Sequence, residues 1–160
     1  EKLNVKLVIL GEGELEEQLK RQAKVLNIEN KVFFLGFMEN PYVYFSQSDL
    51  FVLSSLREGF GHVLAEALAT GVPIVSTNCK PGAVEVLNDG EYGKLCEIGN
   101  ANDMAEKIYE VLTLSDRERF VMINKGLVRA GQFDAKEIVK QYEDVFRQTL
   151  KMDQRITGRS

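Results

Sequence analysis

Glu58 and Glu66 are the residues whose type and spacing most suggest chemistry. They bracket the segment Glu58-Gly59-Phe60-Gly61-His62-Val63-Leu64-Ala65-Glu66, which carries two glycines near its start. Glycines at 59 and 61 let the backbone come close to a ligand and leave N–H groups pointing outward. If a helix begins behind them, its N-terminus carries about half a positive charge, which suits a phosphate. A carboxylate one turn into that helix stands badly beside a phosphate, because like charges repel. It is well suited to accept two hydrogen bonds from a vicinal diol, as the ribose-binding carboxylate does in dinucleotide sites. The bland alternative is that both are solvated surface charges, as most glutamates are, and that both glycines only make turns. His62 reads as a surface residue at a helix start, and Arg57 and Lys80 as surface charges near the same loop.

The surrounding pattern supplies the scaffold such a loop needs. Val5–Leu10 is short, apolar and β-branched and stops at Gly11-Glu12-Gly13, as a buried strand does. Val32–Leu35, Leu50–Leu53, Pro73–Ser76 and Gly93–Cys96 read as four more strands. Between them, Leu15, Leu19, Ala23 and Leu26 recur at helical spacing, Pro41 opens a short helix, and 61–70 is alanine- and leucine-rich with Gly71 placed for a C-cap. After residue 100 the period is helical throughout: Asn100 and Asp134 are placed as caps, Ser115–Glu118 forms a capping-box pattern, and Lys151–Ser160 reads as a polar tail. Alternating strands and helices predict an α/β fold, a Rossmann-like parallel sheet with helices on both faces. Ligands on such sheets bind at the carboxyl ends of the strands. The loops that qualify are Gly11–Gly13, Gly36–Asn40, Ser54–Gly61 and Thr77–Gly82. One domain over residues 1–150 followed by the tail is the expected organisation.

The segment Glu58-Gly59-Phe60-Gly61 with Glu66 resembles the E-x7-E signature of retaining glycosyltransferases with the GT-B fold, glycosyltransferase family 4 or glycosyl transferases group 1. The resemblance extends through Asp49–Ser55 before it and Ala65–Ser76 after it. Glu85-Val86-Leu87, Asp89-Gly90 and Tyr92-Gly93 look like the family's next block, so about residues 5–115 are covered. It implies the C-terminal, donor-binding domain of an enzyme that takes a nucleotide sugar, such as a UDP- or GDP-sugar, and transfers the sugar with retention to a growing polysaccharide or glycolipid. Carried across, it gives Glu58 the donor-sugar hydroxyls and the catalytic role. The backbone of Gly59, Phe60 and Gly61 lies along sugar and diphosphate, and Glu66 holds the ribose. Phe37 and Met38 frame the nucleobase. Neither a cofactor nor a metal is implied. The family's opening strand, central in its sheet, and an Arg and a Lys that clamp the diphosphate have no counterpart here, nor has the acceptor-binding N-terminal domain. The chain is therefore expected to be a piece of a longer protein and to transfer no sugar alone.

Composition narrows the alternatives. The chain has 160 residues with a net charge of −4, and an acidic balance disfavours a nucleic-acid partner. No apolar run approaches the ~18 residues of a membrane span and no signal-peptide pattern is present, so a cytoplasmic location is expected. The resemblance also allows the full-length enzyme to touch the inner face of a membrane. Cys79 and Cys96 form no CxxC motif and read as free thiols. A nucleotide-sugar epimerase of the same fold would need a histidine–carboxylate pair, and His62 is the one histidine. A non-catalytic interaction domain would not need Glu58 and Glu66.

Overall fold

The structure, a computed structural model, describes residues 3–157. Its backbone divides into two compact units, the first ending at Val43 and the second beginning at Tyr44.

In the first unit, β1 (Leu7–Ile9) and β2 (Val32–Phe34) pair in parallel, Leu7 opposite Val32 and Ile9 opposite Phe34. The helix α1 (Glu16–Val25) connects them; Glu16 and Glu17 lie in its first turn and Lys24 in its last, as the helix dipole favours. Asn27 then turns the chain at φ 56°, a left-handed conformation that asparagine tolerates. Beyond the strands, the Gly11 N–H donates to the Gly36 carbonyl at 2.7 Å, closing the carboxyl edge of this pair.

The second unit holds a three-stranded parallel sheet in the order β3 (Phe51–Leu53), β4 (Ile74–Thr77), β5 (Lys94–Cys96). The short helix α2 (Tyr42–Ser46) ends at its start, and Phe45 packs edge-on against Phe51 with ring centroids 4.9 Å apart. All four β4 residues are buried, as expected of the central strand of a sheet covered on both faces. The helix α5 (Ala101–Leu112) covers one face: Val75, Cys96 and Val111 form a buried cluster extended by Leu50, Met104, Ile108, Leu114 and Met122. The helices α3 (His62–Ala69) and α4 (Gly82–Val86) connect the strands, with Leu64, Ala67, Ala83 and Val86 fully buried. The next helix, α6 (Asp116–Gly131), starts at the Ser115–Glu118 capping box and packs against α3. At Gly126 a side chain would meet Leu68 Cδ2 at 3.0 Å, so a glycine lets the two helices approach.

The parallel α/β architecture agrees with the expectation from sequence. Two features depart from it. The strands form two separately paired sheets, of two and three strands, because β1 hydrogen-bonds to β2 alone among the described strands. The expected tail from Lys151 is helical instead, as α7 runs from Ala135 to Thr157. No proline or glycine interrupts that stretch, and the first residue able to break it cheaply is Gly158. Residues 158–160 of the expected tail lie outside the described residues.

Candidate functional site

The segment Ser54–Gly61 leaves the carboxyl end of β3 and enters α3, while 78–81 leaves the carboxyl end of β4 and enters α4. Because β3 and β4 run parallel in register, Phe51 opposite Ile74 and Leu53 opposite Ser76, both loops rise from one edge of the sheet. Two hydrogen bonds tie them together: Thr77 Oγ1 donates to the Ser55 carbonyl at 2.5 Å, and the Gly82 N–H donates to the Glu58 carbonyl at 3.2 Å.

Within the first loop, Ser55 Oγ donates to Glu58 Oε1 at 2.7 Å, which orients a half-buried carboxylate. Gly61 follows as the N-cap of α3 at φ 81°, a left-handed conformation that glycine adopts without the steric cost of a side chain. A glycine cap brings no side-chain acceptor, so the helix start is left uncapped. Among the described residues, the N–H groups of Gly59, Phe60, Gly61, His62 and Val63 make no hydrogen bond; the first in the helix to do so is Leu64, to the Gly61 carbonyl at 2.8 Å. A run of unpaired N–H groups at a helix start is an anion site by geometry and partial charge.

Glu66 lies one turn further along α3, half-buried, and its carboxylate has no hydrogen-bond or ion-pair partner among the described residues. The Phe60 ring lies tilted against His62 at 5.0 Å and meets Phe133 edge-on at 5.3 Å. Phe133 is held in turn by Arg129, whose guanidinium lies 4.6 Å from its centroid and 5.4 Å from that of Tyr92. Arg129 also donates to the carbonyls of Val86 at 3.0 Å and Glu85 at 2.7 Å, closing the C-terminus of α4. Sequence reasoning passed over this stack, because nothing in the spacing of Arg129 and Phe133 connects them with a loop at Phe60. Arg57 and Lys80 are exposed, as is His62.

Phe37 and Met38 follow Gly36 at the carboxyl edge of β2 in the first unit. Phe37 is 73% exposed, unusual for a large aromatic side chain, and Met38 is half-buried. A concavity of about 510 Å³ runs along α5 at Ala105, Glu106, Tyr109 and Glu110; it borrows no residue from either loop and has none of their free N–H groups. Cys79 and Cys96 are free and buried, and burial, with Asp103 nearby, raises the Cys96 thiol above its ordinary range.

The sequence pattern of the family described as glycosyl transferases group 1 matches residues 1–127. The chain belongs to that family. A Campylobacter jejuni N-acetylgalactosamine-N,N'-diacetylbacillosaminyl-diphospho-undecaprenol 4-alpha-N-acetylgalactosaminyltransferase is 42% identical over 139 residues, 87% of this chain and 38% of the relative. The Bacillus anthracis N-acetyl-alpha-D-glucosaminyl L-malate synthase is 34% identical over 151 residues, 94% of this chain and 39% of the relative. Among solved structures, Anabaena HepE in complex with UDP superimposes with a TM-score of 0.79 at 27% identity, covering 90% of this chain and 41% of that one. The chain thus spans about two fifths of the length of the group 1 relatives it matches. Among the described residues no helix is long and apolar enough to cross a membrane.

Proposed function

We propose that this chain is the donor-binding part of a glycosyltransferase that takes a nucleotide sugar and transfers the sugar with retention to an acceptor held by the rest of the protein. The observation that carries this reading is the run of unpaired N–H groups from Gly59 to Val63, followed one turn later by the partnerless carboxylate of Glu66. The run suits a diphosphate and the carboxylate suits a diol, so the pair matches the two ends of a ribosyl diphosphate. Family membership and the UDP complex of the Anabaena neighbour support it.

In this reading, Glu66 accepts from the ribose hydroxyls, and Glu58, oriented by Ser55, accepts from hydroxyls of the donor sugar. As the bond between sugar and diphosphate breaks, negative charge gathers on the leaving diphosphate. The N–H groups of Gly59–Val63 face it already oriented, so stabilising it needs no reorganisation. The acceptor and the remaining positive charge come from parts of the protein beyond this chain, and transfer requires them. The cytoplasmic face of a membrane is where a glycolipid acceptor would be met.

Calorimetric titration with UDP, GDP and ADP tests the reading and identifies the base. Glu66→Ala weakens nucleotide binding by about 1–3 kcal/mol, the worth of hydrogen bonds to a charged group. Equal affinity in wild type and Glu66→Ala would remove the ribose role.

A further inference from the structure

We infer that Gly82 is a positioning residue for Glu58, setting the place of the Glu58–Gly61 loop by having no side chain. The inference rests on the functional reading above for what the loop does, and on packing alone for what Gly82 does. Gly82 is the first residue of α4 and is buried. A methyl group placed on it would stand 2.8 Å from Glu58 Cβ, 2.9 Å from the Glu58 carbonyl oxygen and 2.9 Å from the Phe60 carbonyl carbon. Carbon and oxygen atoms do not come that close without a bond, and two of the three obstacles are backbone, which cannot swing aside as a side-chain tip can. Gly82 does not have a positive φ, so here glycine is needed for room and not for backbone conformation.

What would yield to an added methyl group follows from burial. The helix α4 is pinned by Ala83 and Val86, with Leu87 just beyond it, all fully buried, and by the two Arg129 hydrogen bonds at its C-terminus. The loop has open space at Gly59, where an added side chain would meet nothing within 4 Å. The loop therefore moves, and Glu58 with its Ser55 hydrogen bond moves with it. The Gly82–Glu58 hydrogen bond is the attractive half of the same contact. Together they fix how far the loop stands from α4, which sets where the Glu58 carboxylate and the N–H groups of Gly59–Gly61 point.

The test uses the full-length protein with 4-fluorophenylalanine installed at position 60, whose ¹⁹F resonance reports the loop without any ligand. Gly82→Ala shifts that resonance, and Gly131→Ala, with no atom near its added methyl group, leaves it in place. In parallel, Gly82→Ala lowers affinity for UDP- or GDP-sugar about tenfold or more, because small displacements of a positioning group are costly. A folded Gly82→Ala protein with an unshifted resonance overturns the inference. If Gly82→Ala does not fold in plain buffer, the resonance is read in a stabilising osmolyte that restores folding, and an unshifted resonance there likewise overturns it. A shifted resonance in a protein whose wild type takes no nucleotide would refute the glycosyltransferase reading while leaving the packing role of Gly82 intact.

Discussion

Replacing Arg129 by alanine removes the closure of α4 and the support of Phe133 in one step. Val86 is fully buried, and its carbonyl has the Arg129 Nε–H as its hydrogen-bond partner at 3.0 Å. A buried acceptor left unpaired costs about 1–3 kcal/mol. The Glu85 carbonyl loses the 2.7 Å bond from Nη2 but keeps the Asn88 N–H at 3.2 Å, so its share is smaller. Loss of the guanidinium from the Phe133 ring removes about 0.5–1 kcal/mol more. Arg129 is only half-buried, and water can re-enter, so the lower ends apply and the expected total is about 2 kcal/mol. With a urea dependence of about 1–3 kcal/mol per molar, the unfolding midpoint falls by roughly 1 M. Arg129→Lys falls in between, because an ammonium keeps the charge but cannot span two carbonyls and stack as the planar fork does. Urea titration followed by circular dichroism measures all three proteins. A midpoint within about 0.2 M of wild type for Arg129→Ala, or full retention by lysine, would refute the argument.

Two further outcomes follow from local electrostatics and burial. The Ser115 hydroxyl and backbone N–H hydrogen-bond to Glu118 and hold its carboxyl below its ordinary pKa. A folded pKa below the unfolded one means stability that is present above the unfolded value and lost as pH falls through the folded one. Ser115→Ala should therefore lower the melting temperature near neutral pH and lower it less as the pH falls through the folded-state pKa; a loss that stays equal across that acid range would count against this. Cys79 and Cys96 should resist iodoacetamide in the folded protein and both react once it is unfolded, with mass spectrometry counting the adducts, since both are buried and the Cys96 thiol is pushed up. Rapid labelling of either in the native state would mean that the core around β4 and β5 opens.

What could be read from sequence was what is encoded locally. The glycine loop announces itself because Gly59, Gly61, the helix start and Glu66 all fall within nine consecutive residues, and the structure does set them on one loop and one helix. The capping box at Ser115–Glu118 and the cap at Asn100 were legible for the same reason, each depending on a spacing of three. The last turns of α7 are less legible, because the polarity of 151–157 suits a tail as well as a helix, whereas a helix is stopped by glycine or proline, not by charge. Gly82 was visible only as the last residue of a loop. The need for its missing methyl group lies in contacts with residues 58 and 60, and a sequence does not display atoms that would collide. The division into two sheets follows from where β1 finds its partner, which short apolar runs do not specify.

Each strand in both sheets pairs with the strand next to it along the chain. During synthesis, then, no strand has to wait for a distant one: β2 adds to β1, and β4 and then β5 add to the sheet that β3 begins. The glycine loop is the exception. The helix behind it is complete by Ala69, its sheet edge by Thr77 and its contact with α4 by Gly82, but the ring that braces Phe60 belongs to Phe133, between α6 and α7. The loop is thus assembled early and braced late. A nascent chain halted before residue 133 would carry every residue of the candidate site in unit two and still lack part of its support.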